Sequence, residues 1–331
     1  MVLTAGLISC NTNPNKNKDK DDNKSHLPKS VGKTSELLVI MNEPYWNGSM
    51  GDSVRSWFGQ DVPGLPQVEP CFTTPNVNMS LLNNRMFKTH RNIFIADIDE
   101  KYQKAFIETK EDLWASPQRV VRVNSPDLKG FNKMFDEYRQ AFLTLYHNNE
   151  IRRIQTTFKA GEKISIRQKL MRDHQISMVF PEGFMIAKEF DNILWIRKET
   201  QTESQGLLIS FEAYENKSQF DKKNLIMRRN VLTRKHIPGP TEGSYMKVSA
   251  FYEPDYRQFS FHDNFAVEMR GLWDVENDFM GGPFLSYSFY DEKLEKLVTL
   301  DSYVYAPGSD KRDLLLQMEA IMKTYKSILK K

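Results

Sequence analysis

Apolar residues in this chain gather into short runs and long stripes, separated by proline- and glycine-bearing breaks. That pattern predicts a mixture of strands and helices. Residues 37–41, Leu-Leu-Val-Ile-Met, form a run of buried-strand length. Residues 45–51 read as a glycine-bearing loop and 52–58 as a short helix, stopped by Pro63-Gly64-Leu65-Pro66. Strands are expected at 93–96, 104–109 and 119–123. Ser125-Pro126-Asp127 then opens a helix, with a serine cap and proline in the first turn. Phe131, Phe135, Tyr138, Phe142 and Tyr146 recur at helical spacing as far as Asn148-Asn149, and a more polar helical stretch covers 150–174.

The second half opens with a strand, a turn and a strand over 176–184, and continues with strands at 194–197 and 207–211. A helix over 223–236 ends at Pro238-Gly239-Pro240, and further strands fall near 245–251, 265–270, 284–290 and 297–305. Asp310 is expected to cap a last helix whose stripe runs from Leu314 to Leu329, with Lys326, Lys330 and Lys331 at the negative end of its dipole. Both halves finish with a strand, a proline-bearing loop and a helix. The fold class expected is α+β, in two related units at 36–160 and 161–331, each a mainly antiparallel sheet with long helices packed on one face.

At 331 residues, 40% hydrophobic and 27% charged, the chain has material for about two packed domains. That excludes a disordered protein, a collagen-like repeat and a disulfide-stapled miniature. No apolar run reaches the ~18–20 residues of a membrane-spanning helix. Of the formal charge of +3, all resides in 11–35, whose six lysines face three aspartates; residues 36–331 sum to zero. A nucleic-acid partner is therefore not expected, because its binder carries basic excess on the folded surface.

Residues 1–10 are apolar or small apart from Thr4 and Ser9, and end Leu7-Ile8-Ser9-Cys10. This resembles a bacterial lipobox, where small residues precede a cysteine whose thiol alone can carry the lipid. The resemblance implies a signal peptide remnant, acylation of Cys10 and a lipid bilayer as partner. Nine residues without Lys or Arg fall short of a full signal peptide of ~15–30 residues, so the start is expected upstream. Residues 11–35, rich in Asn and Lys and without an aromatic residue, are expected to be a disordered linker reaching about 25–30 Å. Cys71 is the only other cysteine; with Cys10 acylated it has no disulfide partner, and it reads as a small core residue.

Several segments together resemble one family. They are Gly32-x-x-x-Glu36-Leu37-Leu38-Val39, Trp46-x-Gly48-x-x-Gly51-Asp52, Gly64-Leu65-Pro66-Gln67-x-Glu69-Pro70-x-Phe72, His90-Arg91-Asn92-Ile93, Arg270-Gly271-Leu272-Trp273 and Met280-Gly281-Gly282-Pro283-Phe284. Tyr303-Val304-Tyr305-Ala306-Pro307, Lys311-Arg312 and Glu319-Ala320-Ile321 complete the set. It looks like the Bacteroidota lipoprotein family called domain of unknown function 4837, which implies an envelope lipoprotein without assigned activity. The 180–184 segment with Trp195 is also similar, at the level of fold, to PsbP-like sandwiches. Lipoproteins of that phylum sent to the cell surface carry acidic residues directly after the cysteine. Here Lys20-Asp21-Asp22 lies ten residues downstream, so an outer-membrane lipoprotein facing the periplasm is expected.

Candidate chemistry is sparse. Gly48-x-x-Gly51-Asp52 could cradle an anion but lacks the endings of a P-loop or dinucleotide fingerprint. His90-Arg91 and His262-Asp263 read as surface or capping groups, the latter pair on opposite sides of a strand. No Gly-x-Ser-x-Gly, His-Glu-x-x-His or zinc-spaced Cys/His pairs occur, so no catalytic residue, metal or cofactor is assigned. The expectation is a non-enzymatic binding or assembly role toward an envelope protein or cell-wall partner; the alternative is an envelope hydrolase with a site assembled from distant residues. The candidate binding surface comprises Trp46, Gly48, Gly51, Arg55, Arg91, Arg270, Trp273, Gly281, Gly282 and Pro283. Here indoles beside glycines and planar guanidinium groups suit a contact site, and the two glycine loops are expected to border one groove.

Overall fold

The computed structural model describes residues 27–328. They divide into two compact units: residues up to Asp52 with Thr74–Tyr146, and Ser53–Thr73 with the chain from His147 onward.

The first unit carries β1 (Leu38–Ile40), α1 (Glu43–Trp46), the start of α2 (Ser49–Phe58), β2 (Asn76–Val77), α3 (Arg85–Lys88), β3 (Asn92–Ile98), β4 (Phe106–Glu111) and β5 (Arg119–Ser125). The long helix α4 (Leu128–Ala160) follows. The sheet runs β2-β1-β3-β5-β4. Its β1–β2, β1–β3 and β3–β5 pairings are parallel, and only β4–β5 is antiparallel. This unit thus departs from the antiparallel expectation; its long helix α4 lies on one face, and the short α3 closes the other. Parallel strands are normally covered on both faces. Here Phe94 packs within 6.4 Å of Phe131, Phe135 and Phe142 of α4. The alternate residues Ile93 and Ile95 pack with Leu38, Ile40 and Val120 under Phe87 and Trp114. The Tyr146 hydroxyl, fully buried, donates to the Ile93 carbonyl at 2.8 Å.

Three expectations change here. Residues 29–31 are docked rather than part of a loose linker: Ser30 N–H donates to Ser116 O at 3.1 Å and Val31 N–H to Thr89 O at 2.9 Å. The loop expected at 45–51 shrinks to the turn at Asn47-Gly48 between α1 and α2; Pro44 sits in the first turn of α1 and fits there without losing a hydrogen bond. Asn148-Asn149 does not end the helix, which runs unbroken for 33 residues; asparagine costs only about 0.6 kcal/mol inside a helix.

The second unit holds α5 (Ile164–His174), β6 (Ile176–Ser177), β7 (Met185–Phe190), β8 (Ile193–Glu199), β9 (Ser204–Glu212), α6 (Lys222–His236), β10 (Met246–Val248) and β11 (Asp255–Phe261). It continues with β12 (Asn264–Val275), β13 (Gly281–Asp291), β14 (Lys296–Tyr305), α7 (Arg312–Met322) and β15 (Lys326–Ser327). The antiparallel sheet runs β10-β12-β13-β14-β9-β8-β7, with β11 also paired to β12. Period-two alternation sends Leu207, Ile209, Leu285, Tyr287 and Leu300 to the face covered by α5 and α7. Leu208, Trp195, Trp273, Phe284 and Tyr303 point to the other face, with Leu225 of α6. Helices therefore cover both faces of this sheet too.

The last helix stops at Met322, seven residues before the end of its expected stripe. Thr324 Oγ1 donates to Ile321 O at 2.6 Å, Tyr325 tucks its hydroxyl onto Asp291 at 2.8 Å, and Lys326 enters a short strand pairing with β6. Its cap is not Asp310. Glu69, buried and 242 residues earlier, accepts the N–H groups of Lys311 at 2.8 Å and Arg312 at 2.9 Å, satisfying two of the donors every helix start leaves open.

Candidate ligand-binding sites

Two concavities lie in the second unit, one on each face of its sheet. On the α6 face a cleft of about 290 Å³ opens among the loop at 200–203, the Ile237–Pro240 segment and Met280. Its floor is aromatic: Trp195, Trp273 and Tyr303, all nearly inaccessible. The indole N–H groups point inward. Trp195 donates to the Tyr303 hydroxyl at 3.1 Å, and Trp273 is shared between the carbonyls of Pro283 at 3.2 Å and Val304 at 3.3 Å. Burial pushes the Tyr303 phenol up to about 12, so it stays a neutral wall. Arg197 stacks on Trp195 at 4.9 Å and pairs with Glu199 at 3.0 Å on the rim. Phe279, next in sequence to the lining Met280, is fully exposed.

Glycines make this packing possible. A side chain at Gly282 would overlap the Val304 carbonyl and crowd the Trp273 indole, and one at Gly206 would overlap the Tyr303 ring. The sequence pattern Arg270-Gly271-Leu272-Trp273 with Gly281-Gly282-Pro283 thus encodes a close strand pairing, Trp273 opposite Gly282. Gly281, Gly282 and Pro283 open β13 rather than forming a loop.

On the opposite face, β12 and α7 bury a charge cluster. Glu319, its side chain 3% exposed, accepts from His147 Nε2 at 2.8 Å, Lys323 Nζ at 2.9 Å and the Tyr287 hydroxyl at 3.1 Å through one oxygen, and from Arg270 at 2.9 Å through the other. Arg270 also holds Glu268 at 2.9 Å, which in turn pairs with Arg257 at 3.1 Å. Burial alone would raise the Glu319 carboxyl, but the charges of His147, Arg270 and Lys323 outweigh it and hold it well below the carboxylate range. Above this cluster lies a solvent-open pocket of about 310 Å³, with Phe259, Phe261 and Tyr287 as its apolar side. His262 lines it, and sits with Asp263 in the β11–β12 turn at φ 49° and 65° instead of on a strand.

The residues of the sequence-predicted surface divide between the two units. Trp46, Gly48 and Gly51 belong to the first unit, and Gly51 is small because a side chain would overlap the Trp46 carbonyl. Arg91 is buried and donates to Gly32 O at 2.6 Å; its neighbour His90 reaches Glu36 at 2.7 Å, and Asn92 reaches the Glu36 carbonyl at 3.1 Å. Arg55, Arg270, Trp273, Gly281, Gly282 and Pro283 fall in the second unit. Arg55 lies half-buried on α2, Arg270 belongs to the charge cluster, and Trp273 to the cleft floor. Cys10 lies outside the described residues. Glu268, Tyr287 and Glu319 were not singled out from the sequence for chemistry, although Glu319 interrupts an apolar stripe between Met318 and Ile321. Among the described residues no group of three His, Cys, Asp or Glu is placed to hold a metal ion.

Comparison with known proteins finds two family models. One described as domain of unknown function (DUF4837) matches residues 163–324, and another, domain of unknown function (DUF8532), matches 30–159. No curated protein matches the sequence. Among solved structures, the Saccharomyces cerevisiae Ran-binding protein Mog1p is similar over 48% of this chain and 93% of its own, at 8% identity and a TM-score of 0.32. A variant of protein Mog1 is similar over 47% and 92%, at 9% identity and a TM-score of 0.28.

Proposed function

From a chain whose residues 163–324 match the family model described as domain of unknown function (DUF4837), we propose a bacterial envelope lipoprotein, of Bacteroidota type, that binds an apolar or aromatic group of an envelope protein or cell-wall partner. The lipobox ending at Cys10 and the polar segment after it support the anchor and the outer-membrane, periplasm-facing location. The observation that carries the binding role is the aromatic-floored cleft rimmed by loops beside the fully exposed Phe279. Loops positioned on a rigid sheet are where recognition residues concentrate, and an exposed aromatic beside a pocket is how contact hot spots are built. The alternative of a hydrolase has less support. Glu268 and Glu319, the buried carboxylates of the charge cluster, have their oxygens committed to internal donors, so neither is poised to carry a proton to or from a substrate.

The test is a photo-crosslinking residue at position 279 in the full-length lipoprotein, expressed in its native host. One discrete adduct, lost when Met280→Asp places a charge in the cleft, is expected. No adduct, or a pattern indifferent to Met280→Asp, refutes the binding role. In parallel, Cys10→Ala releases the protein from alkali-washed membranes; its retention there refutes the lipid anchor.

A further inference from the structure

The pocket on the α7 face is built differently from the aromatic cleft, and it points to a different ligand. Arg257 and Lys323 line it from separate elements. Each leans on one buried carboxylate: Arg257 uses a single terminal nitrogen toward both oxygens of Glu268 at 3.1 Å, and Lys323 reaches Glu319 at 2.9 Å. The remaining N–H groups of both cations have no protein acceptor among the described residues. Asn148, Ser260 and His262, also lining the pocket, have side chains without a hydrogen-bond partner among the described residues. A pocket that presents unspent donors on its walls is set up to receive an acceptor.

Charge narrows the class. Arg257, Arg270 and Lys323 face Glu268 and Glu319, and His147 shares Glu319, so the cluster carries a net positive charge. Lys326 and Asp263, the charged groups acting on His262, offset each other. A net positive charge suits an anionic acceptor over a neutral one. The apolar side is made of tilted rings: Phe259 and Phe261 lie 4.8 and 5.3 Å from Tyr287, at 55° and 61° to its plane, and Ile151 adds an aliphatic contact from α4.

We propose that this pocket binds an organic carboxylate with an apolar body, its carboxylate between Arg257 and Lys323 and its body against Phe259, Phe261 and Tyr287. A guanidinium fork presents parallel donors in the plane a carboxylate requires, and the aromatic side supplies the apolar contact that a bare inorganic anion would not use.

The test uses the full chain and three probes followed by saturation-transfer NMR: benzoate, the neutral isostere benzyl alcohol, and inorganic phosphate. Benzoate is expected to saturate one site, with benzyl alcohol and phosphate each weaker by about tenfold or more, the size of one charge-assisted contact. Arg257→Gln and Lys323→Gln should each weaken benzoate by about tenfold. Both are partly exposed and leave Arg270 holding Glu268 and Glu319, so unchanged circular dichroism separates lost binding from lost folding. Met280→Asp, in the other cleft, should leave benzoate binding unchanged; this keeps failure here distinct from failure of the proposed function. Equal binding of benzoate and benzyl alcohol, phosphate binding as tightly, indifference to both charge substitutions, or no saturation up to about 20 mM benzoate overturns the proposal.

Discussion

Replacing Glu319 by Gln is the most informative single perturbation of this fold. The carboxylate accepts from four side chains on four elements: His147 of α4, Arg270 of β12, Tyr287 of β13 and Lys323 just past α7. A glutamine keeps the shape and one acceptor oxygen, but turns the other into a donor facing cations. Breaking a buried ion pair from one side costs ~3–5 kcal/mol. Arg270 keeps Glu268 as a partner at 2.9 Å, so the lower end, about 3 kcal/mol, applies. In a unit of this size that lowers the thermal midpoint by about 6–12 °C. Two units need not melt together, so calorimetry is paired with hydrogen exchange read at α7 and β12. The same carboxyl sets a pH dependence of definite sign. Its folded pKa lies well below the ordinary 4.5 because the three cations overcome burial. The stabilisation is therefore whole above pH 4.5 and is lost as the pH falls from there toward the folded value. The parent protein should lose stability on that acid limb, and Glu319→Gln should flatten it. A midpoint within about 2 °C of the parent at neutral pH, or identical acid limbs, refutes the reasoning.

Two further outcomes follow from the same geometry. Glu69→Ala removes the acceptor for two N–H groups at the start of α7 and should cost about 1–2 kcal/mol, read as faster hydrogen exchange confined first to that turn. Gly282→Ala drives a methyl into the Val304 carbonyl and should cost about 1–3 kcal/mol, with a change in the Trp273 near-ultraviolet dichroism; an unchanged spectrum and midpoint would mean the β13–β14 spacing is soft.

Local periodicity made much of the architecture readable, and distance made the rest hard. The stripe from Phe131 to Tyr146 predicts α4 because helix period and burial agree at Phe131, Phe135, Phe142 and Tyr146, with Tyr138 left exposed. The short apolar runs at 207–211, 284–290 and 297–305 predict strands because each has the length of a buried strand. The parallel pairing of β1, β3 and β5 was not legible, since it depends on which distant strands meet across long connections. The docking of Ser30 and Val31 is carried by backbone hydrogen bonds and the Ser30 hydroxyl, which donates to Pro117 O at 2.6 Å; many polar segments can make such bonds. In the candidate sites, Arg270 and Trp273 stood out by residue type, but their meaning did not. Trp273 lies in the cleft floor because Gly282 opposes it, and Arg270 is a buried strut because Glu319 arrives from a helix 49 residues later. The scattered motif residues Gly32, Glu36, His90 and Arg91, and likewise Glu69, Lys311 and Arg312, prove to be contact partners; the recurring set marks staples of the fold.

The cap that Glu69 places on α7 fixes an order of events in the life of the chain. At about 5–20 residues per second, the ribosome releases this carboxylate roughly 12–50 s before the N–H groups it will hold. Throughout that interval the segment from Ser53 to Thr73 belongs to a unit most of which does not yet exist. A message that stops short of Arg312 therefore yields more than a chain lacking its last helix. It leaves the early carboxylate Glu69 without its anchor and the apolar face awaiting α7 uncovered, which is the kind of surface that quality-control proteases and chaperones engage.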